Sequence, residues 1–489
     1  MDRRTFLASS SAAALSVLVP PVSTEADMSV AIDPKTTWCV WEGWGTSLCW
    51  WGKAYGTRDD LADLLFTTNQ VSYEGNLFPG LGLTVVRYNA GACTAAKTSD
   101  GSTMVPSSNI PASRQMEGYW LDWTSADPSS ASWNWLADAG QRAIMGKARD
   151  RGATTFELFS NSPMWWMCYN HNPSGSPIGI TDNLQSWNYQ QHAVYLATVA
   201  KYAHDHWGID FASVEPFNEP AAPWWTAFGT QEGCHFGAST QQTVVGGLRR
   251  ELDSRGLTST MVAASDENTY DQARATWGGF SSQAKGSVGR VNVHGYQQGG
   301  GRRDLLYNDV VVAAGKKLWN SEYGENDATG LSMASNINLD MYWLHPSAWV
   351  YWQVLDGSDW GLLDADETAG TVGTVRRKFY VLAHYSRHIR PGMQVIRSAD
   401  PNTVAAYDQA TRKLVLVTAN LGTAQWVSYD LSAFGTVVGD LGQVRRWVTQ
   451  TDGGDAYQAY SDTSLSGKGF RCWFGTNTVQ TFEIDNVLR

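Results

Sequence analysis

Two glutamates stand where apolar runs stop. Phe217-Asn218-Glu219-Pro220 closes the run FASVEPFNEP (211–220), and Asn320-Ser321-Glu322-Tyr323-Gly324 closes KKLWNSEYG (316–324). Pro220 has no N–H to give a sheet ladder, so strand pairing is expected to stop with Glu219. In the second run, period-two alternation groups Leu318, Asn320 and Glu322 on one face, and Gly324 permits a turn. Two carboxyls delivered to one rim have a natural use in cleaving an acetal. The transition state is an oxocarbenium-like cation, so one carboxylate attacks or stabilises it while a protonated carboxyl donates to the leaving oxygen. A lone strand-end glutamate is ordinarily a rim ion pair; two of them, each beside a strand-terminating neighbour, have the form of a catalytic pair. Glu42, Asp356 and Glu325 are alternative carboxyls, but Glu42 precedes the strand core Gly43-Trp44-Gly45 and Glu325 lies beyond the turn.

Positioning such a pair requires a scaffold with strand ends on one face. The chain offers eight strand candidates, at 42–48, 83–91, 155–163, 211–220, 260–268, 290–296, 316–324 and 347–357, with helical stretches between them such as WLADAGQRAIMGKARDRG and QQTVVGGLRRELDSRGL. The spacing predicts an α/β fold, a (β/α)8 TIM barrel with enlarged loops, whose chemistry is built at the C-terminal strand ends. After Pro391 the texture changes to short alternating strands (VIRSAD, TVAAYDQ, KLVLVTANLG, QWVSYDLS, QVRRWVTQ, FRCWFGT, VQTFEID), the pattern of an antiparallel β-sandwich. The stretch MSVAID, residues 28–33, is expected to add a strand to it. The division is a leader at 1–26, a segment joining the sandwich at 27–41, the barrel at 42–390 and the sandwich at 391–489.

Composition narrows the partners. Lys plus Arg number 36 against 47 Asp plus Glu, a formal charge of −11, which argues against nucleic acid or an anionic membrane as the principal partner. At 43% hydrophobic and 17% charged residues the chain is globular rather than disordered. Arg3-Arg4 before Phe6-Leu7 and the mildly apolar run Ala8 to Pro20 match a bacterial twin-arginine export signal, with cleavage after Ala26, so the mature protein is expected to be secreted and free of membrane spans. Because that route often carries cofactor-loaded proteins, a redox metalloprotein stands as a rival class. No metal site emerges from the sequence, however. The six cysteines contain no C-x-x-C, although disulfides are permitted outside the cell, and His384-x-x-x-His388 lacks the Glu of H-E-x-x-H. These two histidines read as partly exposed helix residues, and His204 and His206 as caps at a helix end. The 24 Trp exceed what a core of this size needs, which favours sugar stacking as a class while leaving each individual Trp open to a core role.

Six segments in order, EGWGTSLCWWG (42–52), RYNAG (87–91), SNSPMWWM (160–167), VHGY (293–296), YWQVLDGSDWGL (351–362) and HYSRHIRPG (384–392), together with N-E-P and S-E-Y-G, resemble glycoside hydrolase family 30. Within it the fifth subfamily, containing β-1,6-galactan-cleaving enzymes, is the nearest match, and the resemblance covers nearly the whole mature chain. It implies a retaining hydrolase of a poly- or oligosaccharide with no cofactor, in which Glu219 is the general acid/base and Glu322 the nucleophile. By the same resemblance Asn218 donates to the sugar 2-hydroxyl, and Arg87 and Asn89 lie near the nucleophile and the reacting sugar. Arg87 would keep Glu322 ionised, or else support mid-strand Glu215. His294 and Tyr296 would bond the nucleophile or the sugar, with a purely structural His as the alternative. Trp165 and Trp352 would wall the reacting subsite. Trp50 and Trp51 follow strand one, where some family members carry an Asp, which counts against a glucosylceramidase-like specificity. Trp50, Trp51, Trp165, Trp166, Trp224 and Trp225 are the candidates for a bowl suited to a flexible β-1,6 chain. The alternatives are another family 30 β-glycanase, such as a β-1,6-glucanase or xylanase, and a non-catalytic carbohydrate-binding protein.

Overall fold

Each of the eight apolar runs forms a strand in the computed structural model, which describes residues 28–489; the expected leader at 1–26 lies outside the described residues. The chain enters through β1 (Met28–Val40) and then lays down the barrel strands β2 (Gly43–Ser47), β3 (Val85–Asn89), β4 (Thr155–Phe159), β5 (Phe211–Glu215), β6 (Met261–Glu267), β7 (Val288–His294), β8 (Lys317–Tyr323) and β9 (Ala348–Tyr351). All eight pair in parallel and close on themselves, with β9 beside β2. Parallel neighbours require crossovers, and a helix follows every strand: α1 (Asp59–Phe66), α2 (Ala139–Asp150), α3 (Tyr189–Tyr202), α4 (Ala238–Ser254), α5 (Tyr270–Gly279), α6 (Arg303–Tyr307), α7 (Leu331–Leu339) and α8 (Arg377–Ser386). In α4 the buried Val244, Val245, Leu248 and Leu252 recur at helical spacing, and Gly256, at φ +76°, ends the helix in the left-handed region.

The second unit is a nine-stranded sheet built from β10 (Gln394–Ser398), β11 (Thr403–Asp408), β12 (Lys413–Asn420), β13 (Gln425–Asp430), β14 (Gln443–Gln450), β15 (Gln458–Ser464), β16 (Gly469–Phe474) and β17 (Thr478–Ile484), with β1 as the ninth. The order is β15-β14-β17-β12-β11-β10-β1-β13-β16. Strand β1 runs well past residue 33, antiparallel to β10 and parallel to β13, with irregular register after Asp33. Residues from the middle and from both ends of the sheet, among them Ile32, Leu416, Val444, Phe470 and Phe482, share a core of their own, so the sheet folds over itself as a sandwich does.

Helix α8 bolts the barrel to this sheet and corrects one expectation. His384 and His388 are buried, not partly exposed. One helical turn apart, both face the sheet: the His384 ring lies 2.8 Å from each of the Thr481 and Thr449 hydroxyls, and His388 Nδ1 lies 2.8 Å from Glu483 Oε1. Exposed His204 sits at a helix end as expected, 2.5 Å from Asp210. All six cysteines are free, five of them buried. Among the described residues no helix is long and apolar enough to cross a membrane.

Candidate active site

Two irregularities at the barrel mouth place the acidic groups. In β8, Asn320 pairs with Val293 and Glu322 with His294, leaving Ser321 as an extra residue. Strict alternation therefore fails: Leu318 and Asn320 face the helices, where the Asn320 amide bonds Asp340, whereas the bulge turns Glu322 inward. In β6 the same device inserts Asp266, at φ +58°, between Ser265 and Glu267. The other expectation for this rim also shifts. Strand β5 stops at Glu215, because Pro216 already lacks the donor that Pro220 was expected to lack. Glu219 sits beyond the strand at φ +47°, in a conformation that costs a non-glycine residue roughly 1–3 kcal/mol. Two backbone ties hold it there. Its N–H donates to the Asp266 carbonyl at 2.8 Å, and its carbonyl accepts from Trp225 Nε1 at 2.8 Å.

Below the mouth lies a buried lattice of charges. Arg87 Nε donates to Glu157 at 2.8 Å, its Nη2 bonds Asp266, and its Nη1 reaches Glu322 Oε2 at 3.4 Å. It makes no ion pair with Glu215, whose carboxyl is driven well above the usual range by burial and by the neighbouring Asp266 and Glu157. Arg290 completes the lattice by bonding Glu157 and lying 3.3 Å from the centre of the Trp319 ring. Burial also opposes charge on Asp266, but Arg87 and His294 outweigh it and hold the carboxyl well below the usual carboxylate range.

His294 joins the two candidate catalytic carboxyls. Its Nδ1 lies 3.0 Å from Glu219 Oε1 and 3.4 Å from Glu322 Oε1, while its Nε2 faces Asp266 Oδ1 at 3.2 Å. Burial disfavours the imidazolium, yet Glu322 and Asp266 hold its pKa well above the usual value. One oxygen of each glutamate and the ring nitrogen all lie within 4.8 Å of one another. Two carboxylates and an imidazole are also a donor set that a divalent cation takes, and such an ion would compete with the proton held there. Tyr296 donates to Glu322 Oε1 at 2.8 Å. Burial pushes the Glu322 carboxyl up to about 7, with His294 and Arg87 pulling it down and Glu219 and Asp266 adding to the rise. Glu219 receives two further donors, Asn268 Nδ2 on Oε1 at 2.7 Å and Trp224 Nε1 on Oε2 at 3.2 Å.

Both carboxyls open into a cleft of about 570 Å³. Asn218, Tyr296 and Trp352 from the sequence reading line it, and so do Trp224 and Trp225; the Asn218 Oδ1 has no hydrogen-bond partner. Arg87 and His294 stand beneath it with no exposed surface. Other residues of the reading are elsewhere. Trp50 is buried behind Trp352, ring to ring at 5.4 Å, with Arg114 over its face. Asn89 is buried and donates to Glu232 at 3.1 Å. Trp51, Trp165 and Trp166 are core residues. Of the alternative carboxyls, Glu42 pairs with Lys317 before β2, and Glu325 bonds Lys378 Nζ at 3.1 Å. Asp266, Asn268, Phe228 and Trp360 were not singled out from the sequence. The first two stand in S-D-E-N at the end of β6, where the strand-end logic applied to Glu219 and Glu322 would have found them. Trp360 explains Gly324, since a Cβ there would lie 2.9 Å from the indole.

Comparison with known proteins finds relatives over nearly the whole chain. The O-glycosyl hydrolase family 30 model matches residues 27–285. An endo-β-1,6-galactanase of Hypocrea rufa is 57% identical over 463 residues, covering 95% of this chain and 96% of that protein. An exo-β-1,6-galactobiohydrolase of Bifidobacterium longum subsp. longum is 23% identical over 414 residues, covering 64% of this chain and 26% of that protein. Among solved structures, a conserved exported protein from Bacteroides fragilis superposes with a TM-score of 0.74 at 19% identity, over 93% of this chain and all of that one. The catalytic domain of a family 30 xylanase C from Talaromyces cellulolyticus gives 0.67 at 20% identity, over 94% of this chain and 100% of that one.

Proposed function

The chain belongs to O-glycosyl hydrolase family 30, and from that premise we propose that it is an endo-acting hydrolase of β-1,6-galactan, the side-chain polymer of arabinogalactan, working by double displacement. The observation that carries the substrate is the 57% identity to an endo-β-1,6-galactanase across nearly the whole of both chains.

The closeness of the two carboxyls supports the mechanism: one oxygen of each lies within 4.8 Å of the other, in keeping with the separation of about 5–5.5 Å of retaining pairs rather than the about 6.5–9.5 Å of inverting ones. Glu322, faced by Arg87 and the Tyr296 hydroxyl, attacks the anomeric carbon while Glu219 gives its proton to the departing glycosidic oxygen. A covalent galactosyl-enzyme results. Glu219 then takes a proton from water, which displaces Glu322 and restores both groups with the β configuration retained. Asn218, which lines the cleft beside Glu219, is the residue for the sugar 2-hydroxyl.

Export as a folded protein by the twin-arginine route completes the reading. It is supported by Arg3-Arg4 ahead of Phe6-Leu7 and by six unpaired cysteines, which suit a protein that folds in a reducing compartment before it leaves. The test of the activity is a product profile on de-arabinosylated arabinogalactan, pustulan and xylan. The first should release β-1,6-galacto-oligosaccharides, with the β anomer formed first by NMR. Faster cleavage of pustulan or xylan would overturn the galactan reading, and an initial α anomer would overturn double displacement.

A further inference from the structure

The cleft is asymmetric about the two carboxyls. On the Glu322 side it is walled by Tyr296, Trp352 and Trp360, of which Trp352 is buried at its base. On the Glu219 side it is walled by the loop that follows β5, and there two large aromatic side chains stand in solvent, Trp224 at 48% exposure and Phe228 at 66%. Exposed rings are ordinarily the mark of a loose loop, but this loop is held along its length. Trp225 and Ala227 exchange backbone bonds with Ser176 at 3.1 and 2.8 Å, Asn172 Nδ2 donates to the Ala227 carbonyl at 2.9 Å, and Asn109 Nδ2 donates to the Phe228 carbonyl at 2.8 Å. Glu232 anchors its far end by accepting from Asn89 Nδ2 and the Ala92 N–H. The rings are therefore presented by a fixed frame. Trp224 also fixes direction, since its Nε1 bonds Glu219 Oε2, the carboxyl that delivers a proton to the departing oxygen. The loop wall thus stands on the side of the cleft that carries the proton donor.

We propose that Trp224 and Phe228 form the docking surface for the leaving-group galactosyl residue, so that this loop sets the preference for chains extending beyond the cleaved bond. The inference rests on the galactan reading above. Galactose suits such a surface because its axial 4-hydroxyl leaves one ring face as a continuous C–H surface for an aromatic ring. A rigid frame matters for the same reason, since ordering a mobile loop on each binding event would consume part of the contact free energy.

The test separates substrates that reach this wall from those that do not. β-1,6-Galactotetraose places sugars on both sides of the bond, whereas β-galactobiosyl fluoride loses only a fluoride ion, which touches neither ring. Phe228→Ala should lower kcat/KM on the tetraose about tenfold and leave the fluoride within twofold; Phe228→Tyr should restore the tetraose rate. Phe228 is exposed, so folding is not at stake, and thermal unfolding should coincide with the unaltered enzyme. Equal losses on both substrates, or no loss on the tetraose, would overturn the proposal. An unaltered enzyme that cleaves neither galactoside would sink the galactan reading itself, a result separable from any effect of Phe228.

Discussion

Replacing Tyr296 by Phe removes one oxygen from the site and predicts a displaced pH profile. The ring keeps its packing, edge-on to His294 with centroids 5.7 Å apart and stacked on Tyr323 at 6.4 Å. What disappears is the 2.8 Å bond to Glu322 Oε1. A hydrogen bond to a charged group is worth about 1.5–3 kcal/mol, and about 1.4 kcal/mol corresponds to one pH unit of titration. Because the hydroxyl favours the carboxylate, its loss makes Glu322 easier to protonate. Glu322 is already pushed up to about 7, and in the variant it should titrate one to two pH units higher. The nucleophile must be ionised to attack, so the acidic limb of kcat/KM, which reports groups of the free enzyme, moves up by the same amount. At about pH 6 roughly a tenth of Glu322 is ionised in the parent and about a hundredth to a thousandth in the variant, by the same conversion. The expected loss is about ten- to a hundredfold there and shrinks steadily toward pH 9. Initial rates on galacto-oligosaccharide from pH 5 to 9 provide the measurement. A loss of equal size at every pH, with the limb unmoved, would refute the argument that Tyr296 sets the ionisation of Glu322.

Glu219→Ala should slow polysaccharide cleavage by about 10²–10⁴-fold while sparing dinitrophenyl galactosides, and azide should rescue it with a β-galactosyl azide; an α-azide would reverse the two roles. Glu322→Ala should accumulate no glycosyl-enzyme by mass spectrometry. At the junction of the two units, burial works against the Glu483 carboxylate, but His388, Lys413 and Arg445 hold it down to about 2. A carboxyl depressed on folding stabilises above its unfolded pKa and loses that effect as pH falls through the folded one. Glu483→Gln should therefore cost about 2–3 kcal/mol at neutral pH. Denaturant titrations should show the gap to the parent closing between about pH 4 and 2, and a gap independent of pH would count against the ion pairs. Lys at both Arg3 and Arg4 should leave folded precursor inside the cell; undiminished secretion by the double variant would exclude the twin-arginine route.

The barrel was legible because its strands are short apolar runs bounded by turn residues, and because helical periodicity is plain in segments such as Val244 to Leu252. Glu322 was legible as an acid at a strand end, and Glu219 as one near it, four residues past the true end of β5. What escaped is register. A single extra residue at Ser321 decides whether Glu322 faces the helices or the cleft, and nothing in Asn320-Ser321-Glu322 announces a bulge, since the partner strand dictates it. The same holds for Asp266, which reads as the polar end of a strand and proves to be the residue that Arg87, His294 and Ser321 all meet. Tryptophan shows a second limit. Neighbouring indoles in Trp165-Trp166 and Trp224-Trp225 look alike in sequence, yet the first pair fills the core and the second lines the cleft. Burial of a ring is set by which loop lies over it. His384 and His388 went astray for a related reason, since their helix has a second layer to pack on.

The place of β1 imposes a timetable on biosynthesis. Its partners β10 and β13 lie about 360 and about 400 residues further along the chain. At roughly 5–20 residues per second, the ribosome completes the entire barrel, over tens of seconds, before the first partner emerges. Throughout that interval the thirteen residues Met28–Val40 lack both partners of their strand, and unpaired strand edges are prone to pair with another chain. The hydrogen bonds of β1 thus wait for strands made only after the whole barrel. A chain truncated before Gln394 leaves β1 with neither partner, so soluble fragments of this protein should be sought by joining β1 to the sheet, as a circular permutant, rather than by cutting the sheet away.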